Sequence, residues 1–138
     1  VEILVTRGVR ADYEATEDRW ENGLGSALFK LKNFLQLYQE QGAPPAQLDL
    51  HAVFHGDAGY WLLTDAAYNR YTEKKGGNPN KATIRDLIAS GISIELCSQT
   101  MEHNGWKKED VLPSVLIVHD AYSRLVDLQL RNYAYIRF

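Results

Sequence analysis

Short apolar runs of strand length alternate along this chain with segments of helical period, and that alternation limits the folds open to it. Leu48–Phe54 (LDLHAVF), residues 91–97 (GISIELC), residues 115–118 (VLIV) and residues 133–138 (YAYIRF) each read as a strand. Runs this short and this continuously apolar belong to strands covered on both faces, as in parallel sheets. Between them lie helical stretches. Leu28, Leu31, Leu35 and Tyr38 recur at helical spacing behind Ser26 as an N-cap, and Gly42-Ala43-Pro44-Pro45 stops that helix. A second helix starts at Asp57 or Gly59 and carries Trp61, Leu62, Asp65 and Tyr68. Residues 81–89 present Ile84, Leu87 and Ile88, and Asp120 caps a helix bearing Leu125 and Leu128. Residues 1–6 (VEILVT) supply the first strand, whereas residues 7–21 read as a long charged loop or an arm toward a neighbour. The expected fold is therefore α/β, with a mainly parallel five-stranded sheet between two helical layers and right-handed crossovers.

At 138 residues the chain has the length of one domain able to bury its own core. A net charge of -3 argues against nucleic acid, which selects basic surfaces. No apolar run approaches the ~20 residues of a membrane span. The expected partners are small molecules or other proteins. One cysteine allows no internal disulfide, no CxxC pair and no Cys-rich metal cluster. The chain opens on Val1 rather than Met, which suggests a processed, exported protein, so cytoplasm and periplasm both stay open as compartments.

That cysteine, Cys97, ends a strand and precedes small polar residues able to start a helix. Open parallel sheets bind ligands at the carboxyl ends of their strands, and a helix N-terminus favours a thiolate. Thr6-Arg7, His55-Gly56, Cys97-Ser98 and His119-Asp120 all emerge at that edge, so His55 or His119 could activate the thiol. The plainer alternatives are an inert buried cysteine and histidines that only bond backbone groups. A Cys/His metal site is a further alternative, unsupported by any local ligand spacing, so no metal is expected. His51 and His103 read as structural, and Tyr60, Trp61, Tyr122, Tyr133 and Tyr135 as core or interface aromatics. Gly76-Gly77 lacks the strand and the GK[ST] ending of a phosphate loop.

Around Cys97 the chain resembles the DsrE/DsrF-like family of small sulfur-handling proteins. The resemblance rests on Phe54-His55-Gly56, the strand from Gly91-Ile92 to Cys97, Leu112-Pro113-Ser114-Val115, Leu128-Gln129 and Tyr133-Ala134-Tyr135-Ile136, in that order. It spans residues 28–136 of what would be one domain over 1–138, with residues 1–25 atypical. It implies the three-layer α/β/α fold, assembly as trimers or hexamers, and a persulfide carried on Cys97. On that reading the protein takes sulfane sulfur from a donor and passes it to an acceptor thiol without an organic cofactor. Gly56, Ser98 and Gln99 would contact the substrate, the last two through backbone N–H groups, while His55 or His119 tunes protonation. The alternatives are a non-catalytic ligand- or partner-binding subunit of a sulfur-oxidation system, and a purely structural oligomer.

Overall fold

A computed structural model describes residues 8–138, so the strand expected over residues 1–6, with Thr6 and Arg7, lies outside the described residues. The sheet has five parallel strands: β1 (Val9–Ala15), β4 (Leu48–Phe54), β5 (Ser93–Cys97), β6 (Leu116–Val118) and β7 (Ala134–Arg137). Their order across the sheet is β6-β5-β4-β1-β7. Between β1 and β4 come a two-stranded ribbon, β2 (Trp20–Glu21) and β3 (Leu24–Gly25), and helix α1 (Ser26–Glu40). Helices α2 (Asp65–Thr72) and α3 (Lys81–Ala89) join β4 to β5, α4 (Ser98–Asn104) follows β5, and α5 (Ala121–Leu130) joins β6 to β7. The architecture is the expected α/β/α sandwich.

Three expectations need correction. Residues 9–15 are not loop but β1, paired with β4 from Val9↔Leu48 to Ala15↔Phe54 and with β7 on its other side. VRADYEA alternates strictly: Ala11, Tyr13 and Ala15 enter the main core, while Asp12 and Glu14 are buried on the opposite face. The helix expected from Asp57 or Gly59 through Tyr68 is two elements. A 3-10 segment, Gly56–Leu62, gives way at Leu63, which bridges to Val111, and Thr64 then caps α2 by accepting from the Ala67 N–H. The N-cap of α1 is Gly25 rather than Ser26. A Cβ at Gly25 would lie 2.5 Å from the Trp61 ring, so the residue is fixed by close approach.

The two sheet faces differ in chemistry. One carries Tyr13, Phe54, Ile94 and Leu96, packed against Leu28 and Leu31 of α1 and Ile84 and Leu87 of α3. The other carries Val53 and Cys97 against Ala121, Leu125 and Leu128 of α5, with charged residues filling the remainder. Fully buried Glu95 accepts from Arg124 Nε at 2.6 Å, pairs with His51 Nδ1 at 2.6 Å and accepts from Ser93 Oγ at 2.9 Å. Asp12, also fully buried, has no partner for either carboxylate oxygen among the described residues, and burial pushes its carboxyl above the usual range.

Burial raises the Glu95 carboxyl, but the bonds from His51, Arg124 and Ser93 outweigh it and hold the group below its ordinary 4.5. The bond to Glu95 raises His51 above its ordinary 6.5. A lowered acid loses its stabilising effect as pH falls through its folded pKa, and a raised histidine loses its own as pH climbs through its folded value. The pair therefore contributes most between these ranges. Glu95→Gln should cost about 3–5 kcal/mol, because it strands buried cationic partners. Its deficit against wild type in thermal melts should be largest near pH 5–6 and shrink toward pH 8 as His51 loses its proton.

Candidate functional site

Four strand ends converge at the carboxyl edge of the sheet. The β1–β4 ladder runs one residue past β4, with the His55 N–H donating to the Ala15 carbonyl at 3.0 Å. Phe54 pairs with Leu96 on β5, so the next step of that register sets His55 beside Cys97. Cys97 ends β5 and is also the N-cap residue of α4, with its side chain on the α5 face. Both residues line one cavity of about 560 Å³, roofed by Ala121 and Tyr122 at the start of α5. Cys97 itself is 5% exposed.

His55 is held from behind. Its Nε2 lies 2.6 Å from Glu14 Oε2, and Glu14 Oε1 accepts from the Tyr135 hydroxyl. Tyr122 meets the imidazole edge-on at 5.5 Å. With Nε2–H donated to Glu14, the neutral ring keeps Nδ1 as its basic nitrogen. Burial raises the Glu14 carboxyl, yet the bonds from Tyr135 and His55 prevail and keep it below the usual range. An ionised acceptor is what orienting an imidazole requires. Gly56 has φ +58°, and a Cβ there would lie 2.8 Å from Thr16 Oγ1. Its N–H donates to Thr100 Oγ1 at 3.1 Å.

The other residues singled out in the sequence fall differently. Gln99 lines the cavity. Ser98 Oγ donates to the His119 carbonyl at 2.6 Å, tying α4 to the end of β6. The His119 side chain is 87% exposed and its Nδ1 sits 2.9 Å from Asp120 Oδ2; it is not among the cavity-lining residues. Asp120 is: the Ser123 backbone N–H, together with His119, lowers its carboxyl to about 2. His103, read as structural, also lines the cavity, whereas His51 belongs to the Glu95 cluster. Glu14 was not singled out in the sequence, and Tyr135, read there as a core or interface aromatic, is instead the second partner of Glu14. The alternation of VRADYEA was the available signal for Glu14. Among the described residues no group of three or more His, Cys, Asp or Glu side chains could hold a metal ion.

A model of the DsrE/DsrF-like family matches residues 18–138. The chain belongs to that family. DsrE/DsrF-like proteins are associated with sulfur metabolism. The match begins just after β1, so Glu14 lies outside it. Two solved structures share the fold. One is a protein of unknown function, MTH1491, from Methanobacterium thermoautotrophicum, with TM-score 0.69 and 19% identity, covering 94% of this chain and 99% of that one. The other is the ychN protein from E. coli, with TM-score 0.66 and 18% identity, again covering 94% of this chain and 99% of that one. No curated protein sequence matches the chain. Among the described residues no helix is long and apolar enough to cross a membrane.

Gly56→Ala should destabilise this DsrE/DsrF-like protein by at least about 1–2 kcal/mol, since a left-handed backbone and the Thr16 contact both oppose a Cβ. Chemical denaturation would measure the loss. A Thr16→Ser/Gly56→Ala double variant keeps the hydroxyl and should recover little of it.

Proposed function

We propose that this DsrE/DsrF-like protein holds sulfane sulfur as a persulfide on Cys97 and passes it to an acceptor thiol. The observation that carries the reading is that Cys97 and the Glu14-backed His55 share one cavity at the carboxyl edge of the sheet. A thiolate is the attacking species in sulfur exchange, and an adjacent oriented imidazole is a suitable base for generating it. Cys97 Sγ attacks the sulfane sulfur of the donor, a new S–S bond forms, and the donor's remaining sulfur leaves. An acceptor thiolate then attacks the outer sulfur and regenerates Cys97. Donor and acceptor supply the other sulfur atoms, so one cysteine suffices. In this scheme Ser98 and Gln99 offer first-turn backbone N–H groups to the anionic sulfur, Gln99 from a residue lining the cavity.

Assembly as a homo-oligomer, a trimer or a hexamer, belongs to the same proposal. Tyr122, Val126 and Leu130 are spaced four residues apart on α5 and are 71%, 55% and 80% exposed. One apolar stripe on the solvent side of a helix is a docking face. It runs from the mouth of the Cys97 cavity, where Tyr122 belongs to both. Leu130→Lys should shift the protein to a 15.7 kDa species in light scattering at micromolar concentration. A wild type that is already monomeric there would refute assembly.

Intact mass after polysulfide treatment tests the chemistry. Wild type should gain ~32 Da, one sulfur atom, lost again with reductant. Cys97→Ser should gain nothing. His55→Ala and Glu14→Gln should load at least about tenfold more slowly near pH 7, the low end of what a positioned base contributes. His119→Ala should load at close to the wild-type rate. The burial of Cys97 favours one other reading, a subunit that binds a ligand or partner without reacting. That reading takes over if wild type stays unmodified while a free thiol in the same tube is persulfidated.

A further inference from the structure

The Cys97 cavity has a neighbour with which it shares two wall residues. Asp57 and Tyr71 line it, and both also line a second cavity of about 400 Å³ whose walls include Asp18, Tyr60 and Lys74. The Tyr60 and Tyr71 rings lie 5.2 Å apart on the wall of that second cavity. The two cavities adjoin at Asp57 and Tyr71 and together make a groove with tyrosine walls beside Cys97. The first cavity alone measures about 560 Å³. A water occupies roughly 30 Å³ in the liquid, so an inorganic donor of a few atoms fills only a fraction of this space.

The charges along the groove have one dominant sign. Asp18, Asp57 and Asp120 contribute three carboxylates, and no arginine lines either cavity. Asp18 Oδ1 accepts from Tyr60 OH at 2.7 Å, Trp20 Nε1 at 2.8 Å and Trp61 Nε1 at 3.3 Å. These donors are neutral and fix the carboxylate without cancelling its charge. Lys74 is the groove's one ammonium; it is exposed and forms no ion pair among the described residues, so three carboxylates stand against a single ammonium. His55 is already paired with Glu14, which leaves His103 as the other imidazole on the walls. Such a groove repels anions, and its tyrosine faces favour cations.

Building on the persulfide-carrier reading, we propose that the groove selects as sulfur donor an organic persulfide bearing an ammonium group, held against Asp57 and Tyr71, in preference to an inorganic anion such as thiosulfate or polysulfide. The transfer balances without an added oxidant or reductant. Cys97 thiolate attacks the outer sulfur of R–S–SH, the bond from Sγ to that sulfur forms, the R–S to SH bond breaks, and R–S⁻ departs with the negative charge.

The test compares the persulfides of cysteamine, 2-mercaptoethanol and 3-mercaptopropionate, which differ in charge but little in size, by the rate of Cys97 loading on the full chain. The expected order is cation, neutral, anion, with the cation ahead of the anion by roughly tenfold at low ionic strength and the gap closing in high salt. Asp57→Lys should reverse the order; if that variant does not fold, the wild-type series still reads the selection. Equal rates, or a faster anion, overturn the proposal even though Cys97 loads. A second pair of reagents, aminoethyl and sulfonatoethyl methanethiosulfonate, form mixed disulfides with Cys97 and expel methanesulfinate, so they read groove charge without any persulfide. If neither persulfides nor polysulfide load Cys97 while the aminoethyl reagent outpaces its anionic twin, the carrier reading fails and the groove's charge selection stands. If the twins react alike, the selection fails whatever the persulfides do.

Discussion

The bond from Arg124 to Glu95 is the contact on which the α5 side of the molecule depends. Glu95 sits on β5 two residues before Cys97, and Arg124 comes from the second turn of α5. Joined at 2.6 Å with His51 completing the cluster, they fix the height and rotation of α5 over the sheet. The start of that helix is also the roof of the Cys97 cavity. A buried ion pair is weak as a source of stability, because desolvation consumes most of its Coulomb energy. Its value here is positional. Leucines alone would let α5 slide along Val53 and Cys97, whereas a guanidinium that must meet one carboxylate admits a single register.

The same polar face explains which parts of the fold were readable in the residues. LDLHAVF and SIELC are apolar enough that one buried charge in each does not hide the strand. VRADYEA places Arg10, Asp12 and Glu14 on one face, and a parallel sheet is expected to be apolar on both, so the segment looks like loop. Of its two buried carboxyl groups, Glu14 has His55 and Tyr135 as partners, whereas burial favours the neutral form of Asp12, unpartnered among the described residues. The broken helix near Leu63 escaped for another reason. The bridge to Val111 is a contact between segments 48 residues apart in sequence, and local periodicity carries no trace of it.

The candidate site divides in the same way. Cys97 and His55 were legible because each ends an apolar run, and parallel strands bring such ends together. His119 satisfied that rule equally well, yet it lies at the end of β6, an edge strand, and its ring turns outward to Asp120. Edge position was the missing discriminator. Glu14 could not be placed until β1 was known to lie between β4 and β7, the arrangement that brings Tyr135 and His55 to its two oxygens. His103 lines the cavity from α4, one helical turn beyond Gln99. That spacing becomes informative only when α4 is seen to begin directly at Cys97.

The burial of Cys97 bears on carriage as well as on access. The thiol of a residue only 5% exposed is poorly placed to meet large oxidants or bulky thiols. A persulfide would add one S–S bond of about 2.05 Å beyond Sγ, which moves the transferable atom outward while the anchoring sulfur stays covered. Attack on the outer sulfur delivers it to the acceptor; attack on the inner one would displace hydrosulfide and leave a mixed disulfide on the protein. Cys97 is clustered with buried Val53, Ala121 and Leu125, which would cover the inner atom, and the cavity beside His55 would leave space for the outer one. Burial would then direct attack to the productive sulfur, so a low exposure of the thiol supports a carrier as readily as it supports an inert core residue.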